Sequence, residues 1–220
     1  MAFETSHTNV EARLLDGALT PAARVLDAGC GRTTRLAGRR DRIAELVGVD
    51  LDPAAAAENR GLDRFVAADL CHELPLADSS FDLVYANFVV EHLEAPAVAF
   101  REWRRVLRPG GSLVLLTSNR ANPLFLAASL LPRRAKVVLK RAGPGAAPQD
   151  VVPTHYRANT PGRLASALAT AGFASVSVAY VATLHRYAGE RAALASLLRS
   201  SERILPERLR STVVAWYRAA

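Results

Sequence analysis

The sequence predicts an α/β fold, a doubly wound sheet of parallel strands with helices on both faces. Two observations carry that expectation. Short β-rich apolar runs alternate with helical patterns through the first half, and most of those runs are continuously apolar rather than alternating. Strands covered on both faces need no polar side, and repeated strand–helix units join in the right-handed sense that makes the strands parallel. The 220 residues fit one domain, 1–220, with no internal repeat or second-domain boundary.

Taken in order, residues 23–28 (ARVLDA), 45–51, 64–70, 81–89 and 111–118 form the expected strands. Between them, Thr33–Arg40, Pro53–Arg60 and Ala95–Leu107 are expected helices. Asp52 with Pro53 makes a helix start, and Pro109, Gly110 and Gly111 stop the third helix. Residues 122–141 look helical, interrupted at Pro132, and 142–153 form a Pro/Gly-rich loop. A helix over 160–173 has Thr160 as cap, Pro161 at its first position and Gly172 at its end. A strand at 175–184, an amphipathic helix at 190–205 and a final strand at 211–219 complete the chain.

Half of the residues are hydrophobic and 22% are charged, a globular composition. The first residues lack a basic stretch followed by an apolar one, no apolar run reaches the roughly 18 residues of a spanning helix, and Cys30 and Cys71 are the only cysteines. These features lead us to expect a cytoplasmic protein with neither disulfides nor a metal centre. Through Ser118 there are 13 basic residues against 17 acidic ones; from Asn119 onward there are 15 against 4. The second half is therefore suited to an anionic partner, or else carries a solvated basic surface.

In open parallel sheets, ligands bind beyond the carboxyl ends of the strands. Here Asp27, Gly29 and Gly31 follow the first strand, Asp50 ends the second, Asp69 ends the third and Asn87 lies late in the fourth. Glycines let backbone amides approach a ligand, and a carboxylate at the second strand end can accept from two ribose hydroxyls. Asp69 can accept from an adenine amino group while Leu70 packs on the ring. A dinucleotide turn needs G-x-G-x-x-G/A, whereas this one is GCGRTT, with Thr34 at the third small position. Asp27 would repel a pyrophosphate but suits an ammonium group. An amino acid joined to adenosine supplies one, which points to S-adenosylmethionine.

These stretches resemble the class I S-adenosylmethionine-dependent methyltransferases, especially their small-molecule branch. VLDAGCG is similar to the first motif, GVDLDP to the second-strand acid, and AADLCHELPLADSSFDLVYANFVVEHL to the third and fourth strands with their linker. REWRRVLRPGGSLVLLTSN resembles the helix and fifth strand that follow. The resemblance implies a Rossmann-like seven-stranded sheet ordered 3-2-1-4-5-7-6 with the last strand antiparallel. It also implies cofactor contacts at Asp27, Gly29 and Gly31 (methionine end), Asp50 and Leu51 (ribose), Asp69 and Leu70 (adenine), and Asn87 and Phe88 (near the methionine). S-adenosylhomocysteine would be the product. The chain departs from the family at Thr33, where many members carry a third glycine.

The acceptor side is read from fewer signals. Residues 119–160 are expected to form a helical and loop insertion covering the substrate site. Glu91 and His92 follow the fourth strand where an acceptor would approach, so His92 is a candidate general base; the alternative is a structural role for EHL. His155 and Tyr156 are further catalytic candidates, and Arg157 a candidate clamp for a carboxylate or phosphate. Methyl transfer requires alignment above all, so the lack of a catalytic triad does not count against an enzyme. The expected function is methyl transfer to O, N or C of a small molecule, anionic or lipid-like. RNA methylation and non-catalytic S-adenosylmethionine binding are the alternatives. Nucleic acid is disfavoured because no RNA-binding module and no NPPY-type motif are present, and a membrane surface at 124–141 is a disfavoured variant.

Overall fold

The computed structural model describes residues 7–130, 153–189 and 191–220. Helix α1 (His7–Ala18) precedes β1 (Ala23–Ala28), β2 (Ile43–Asp50), α2 (Pro53–Glu58), β3 (Arg64–Ala67) and β4 (Phe81–Asn87). Then follow α3 (Pro96–Val106), β5 (Leu107–Ser118), α4 (Pro123–Leu130) and α5 (Pro161–Thr170). Strand β6 (Phe173–Val181), α6 (Ala192–Arg203) and β7 (Thr212–Ala219) close the order. The sheet runs β3-β2-β1-β4-β5-β7-β6. Strands β1 to β5 pair in parallel, and β7 is antiparallel to both β5 and β6.

Side chains alternate along each strand between two cores. Leu26, Val47 and Val84 pack with Phe100 and Trp103 of α3 and with Leu164 and Leu168 of α5. Val25, Leu46 and Leu83 face the other way, towards Val10 and Leu15 of α1. This two-sided cover explains why the runs carry no polar alternation. Phe100 and Trp103, four-fifths of a helical turn apart, are fully buried with ring centroids 5.4 Å apart and tilted by 53°. Burying each contributes on the order of 2–3 kcal/mol. Helix starts act as expected: the Asp52 carboxylate accepts from the Ala54 amide at 2.9 Å, and the Thr160 hydroxyl accepts from the Arg163 amide.

Two expectations are corrected. Residues 33–40 do not form an α-helix; the chain turns after Gly31 and enters a 3-10 helix over Ala37–Arg42, with non-helical backbone at Arg39. The Thr34 hydroxyl accepts from the Leu36 amide, and such local side-chain bonds compete with helical ones. Strand β3 ends at Ala67, so Asp69 stands in the turn beyond it rather than at its tip. Residues 131–152, with the basic part of the expected 122–141 helix and the Pro/Gly loop, lie outside the described residues, as does Glu190.

Candidate active site

Asp27 is 3% exposed near the carboxyl end of β1, flanked in register by Gly48 of β2 and Tyr85 of β4. The Thr34 hydroxyl donates to its Oδ2 at 2.7 Å. Burial pushes the carboxyl up to about 7; the Thr34 bond opposes that rise, and neighbouring Asp50 adds to it. Thr34 is thus a site residue for which the sequence supplied only a negative meaning. The signal was there, a hydroxyl three residues past Gly31, but only the turn reveals which group it meets.

The turn itself is shaped by backbone. Gly29 has φ +73°, its amide bonds to the Val49 carbonyl at 2.7 Å, and a Cβ there would come within 2.4 Å of Val89. Gly31 has φ +50°, and a Cβ there would meet nothing within 4 Å. Gly29 therefore serves internal packing, whereas Gly31 borders open space. The Gly31 amide donates to Asp50 Oδ2 at 2.9 Å, and the Asp52 amide to Asp50 Oδ1 at 3.1 Å. Each Asp50 oxygen retains a lone pair for another donor. Leu51 beside it is 67% exposed. Cys30, between the glycines, is buried, and burial with the nearby Asp27 and Asp50 charges drives its thiol up to about 12, so it packs and does not react.

Beyond β3, Asp69 accepts from the Cys71 amide at 2.8 Å and lies 3.1 Å from His72 Nδ1, while Leu70 is buried in the core. Asn87 ends β4 with its Oδ1 buried and without a hydrogen-bond partner among the described residues. A buried amide oxygen left unpaired is costly unless a ligand or water meets it. Phe88 follows in the left-handed region, φ +55°, and is partly buried against the α1-side core. Asp50, Gly31 and Asn87 thus stand along one edge of the sheet, at or just beyond the ends of β2, β1 and β4. The open space at Gly31, the free lone pairs of Asp50 and the orphan oxygen of Asn87 fit an adenosyl amino acid.

On the other side of β4, the chain joins the ends of β5 and the segment returning at 153. Glu91 is 4% exposed and accepts from the Thr117 hydroxyl at 2.8 Å and the Ser118 hydroxyl at 2.9 Å. Its carbonyl accepts from the amides of His155 (2.8 Å) and Tyr156 (3.0 Å). His92 Nδ1 donates to the Pro153 carbonyl at 2.7 Å, which leaves a lone pair on Nε2 of the neutral ring. His155 Nε2 lies 3.3 Å from the exposed Glu94 carboxylate. Tyr156 has φ +52°, with the Arg120 guanidinium 4.7 Å from its ring centroid. Arg157 is exposed and forms no ion pair with the described residues. Glu91, Asn159 and Arg120 are the residues here that sequence reading underused: their partners lie 26 to 65 positions away. Among the described residues no cluster of His, Cys, Asp or Glu could hold a metal ion, and no helix is long and apolar enough to cross a membrane.

The sheet order and the row of strand-end groups define a class I methyltransferase fold. Residues 26–115 match the family model described as "Methyltransferase domain". The chain is 38% identical over 119 residues to a malonyl-[acyl-carrier protein] O-methyltransferase of Enterobacter lignolyticus, a match covering 50% of this chain and 47% of that one. A protein of the same description from Halorhodospira halophila is 42% identical over 102 residues, 43% of this chain and 34% of the relative. The chain spans about half the length, or less, of the curated relatives it matches. Among solved structures, an S-adenosylmethionine-dependent methyltransferase from Mesorhizobium loti superposes with a TM-score of 0.61 at 22% identity, covering 95% of both chains. A geranyl diphosphate C-methyltransferase from Streptomyces coelicolor gives 0.68 at 16%, covering 97% of this chain and 77% of that one. The [4+2]-cyclase SpnF gives 0.62 at 20%, covering 95% of this chain and 79% of that one, so the fold alone does not fix the reaction.

Proposed function

We propose that this protein transfers the methyl group of S-adenosylmethionine to a small anionic acceptor. The observation that carries the reading is the row of Gly31, Asp50 and Asn87 at adjacent strand ends, with Asn87 Oδ1 buried and unpaired. In this reading Asp50 holds the ribose and Leu51 its exposed side, while Asp69 with the Leu70 backbone borders the adenine. Asp27, Gly29 and Gly31 shape the methionine end, and Asn87 and Phe88 border it. Bound S-adenosylmethionine supplies a methyl group on a sulfonium, already activated for displacement. The remaining task is to align a nucleophile and exclude water. Where the nucleophile must shed a proton, the lone pair on His92 Nε2 is available to take it; His155 and Tyr156 border the same side, and Arg157 binds the acceptor's anionic group. The 15-to-4 excess of basic over acidic residues after Ser118 supports an anion. The relatives named for a malonyl thioester agree in class, since that acceptor carries a carboxylate.

Isothermal titration with S-adenosylhomocysteine tests the cofactor half: Asp50→Ala should weaken binding by about 100-fold, the loss of two hydrogen bonds to a charged group. No binding by the unaltered protein would end the reading. Transfer of labelled methyl to malonyl-pantetheine and to geranyl diphosphate, with an RNA transcript as comparison, tests the acceptor. Label in RNA alone would move the reading to nucleic acid, and binding without transfer to any acceptor would favour a non-catalytic role.

A further inference from the structure

The buried carboxylate of Glu91 is bonded to the ends of β5 and not to Gly31, Asp50 or Asn87, the groups that the proposed reading gives to the cofactor. Two strand-end hydroxyls, Thr117 and Ser118, donate to it. Thr117 Oγ1 in turn accepts from Asn159 Nδ2 at 2.6 Å, and the same amide reaches the Ser118 carbonyl at 3.2 Å. The Arg120 amide donates to the Asn159 carbonyl at 2.7 Å, and its guanidinium covers Tyr156. From the other side, the Glu91 carbonyl takes the His155 and Tyr156 amides, and His92 takes the Pro153 carbonyl. Residues 153–159 are therefore fastened at both ends through residues 91–92 and 117–120, with the Glu94 carboxylate also beside His155. Tyr156 is held in the left-handed region, a conformation that a non-glycine residue keeps only under such constraint.

We infer that Glu91 is a positioning residue: it fixes the segment 153–159, and so sets where Arg157 and His155 meet the acceptor, without touching the cofactor. This rests on the methyltransferase reading for its acceptor but not for its geometry. Both functions of the side chain are hydrogen-bond acceptance, so an amide can replace the carboxylate: Thr117 would donate to the Gln oxygen and Ser118 accept from its NH2.

The test uses the full chain. In Glu91→Ala, amide hydrogen exchange at His155 and Tyr156 should rise at least about tenfold. S-adenosylhomocysteine Kd should stay within about twofold, and KM should rise about tenfold for whichever of malonyl-pantetheine or geranyl diphosphate is methylated, with kcat changing less. Glu91→Gln should restore slow exchange and the lower KM. Thr117→Val, which keeps the side-chain shape and removes one donor, should raise the same exchange in smaller measure and decides the matter should Glu91→Ala not fold. Unchanged exchange at His155 and Tyr156 overturns the inference, as does a cofactor affinity that falls in step with it. If neither acceptor is methylated, the exchange and Kd results still decide the role of Glu91, and only the reading of the reaction falls.

Discussion

The proposed cofactor side and the proposed acceptor side of this molecule are built by different means. Around Gly31, Asp50 and Asn87 the geometry comes from strand ends and backbone: the turn amides bond to Val49 and Asp50, and the strands are fixed by the sheet. Residues 153–159 lie in no strand, and position depends on a few bonds: side-chain contacts of Glu91, Thr117, Asn159 and Arg120, and backbone amides on the Glu91 and Asn159 carbonyls. A sheet-built site tolerates changes in its neighbours, because ladder bonds hold it in many places at once. A side-chain-built site depends on a few groups, and exchanging them alters where the substrate-facing residues lie.

Three substitutions sharpen that comparison. Gly29→Ala should have the largest effect, because the new Cβ would meet Val89 at 2.4 Å and the residue holds φ +73°. Urea unfolding should show a loss of about 3 kcal/mol, with cofactor affinity lost alongside. Asp27→Asn comes next. Its carboxyl titrates at about 7 in the folded protein against 3.8 in the ordinary state, so the folded form holds the proton more tightly. Stability is therefore largest below pH 4, falls as pH rises from about 4 to 7, and stays lowered above that. The substitution removes that fall: at pH 8 Asp27→Asn should be more stable than the unaltered protein, and equal to it near pH 4. Urea midpoints measured at both values decide it, and a fall with pH that persists in the variant refutes the assignment. Arg157→Ala should have the smallest effect. KM for an anionic acceptor should rise about tenfold, about 1.4 kcal/mol, with S-adenosylhomocysteine affinity and stability unchanged. A change in cofactor affinity would place Arg157 on the wrong side of the division.

The same division decides what could be read from the sequence. Continuously apolar runs gave away β1, β2, β4 and β5, and the sheet order followed once the strand-end residues fell into the pattern of a known family. The positions of Asp27, Asp50 and Asn87 were legible because each stands at or next to the carboxyl end of its strand. The helix expected at 33–40 was not, because Thr34 spends its hydroxyl on Asp27 and on the Leu36 amide instead of leaving the backbone to helical bonds. Asp69 was placed one element too early, because the apolar run outlasts the pairing of β3 with β2, which ends at Ala67. EHL looked like a local cap, yet the partners of Glu91 and His92 lie 26 to 65 residues further along. No local pattern in a single sequence carries such distances.

The short turn after Gly31 bears on which nucleotides this protein can turn away. In many phosphate-binding sheets the loop after the first strand opens an α-helix, whose first amides and dipole attract the phosphates. Here the chain goes from Gly31 through a turn into a 3-10 helix at Ala37, with the Asp27 carboxyl beneath it. On the proposed reading, a phosphate ester such as ATP or a dinucleotide would meet a turn and the buried Asp27 there in place of an α-helix end.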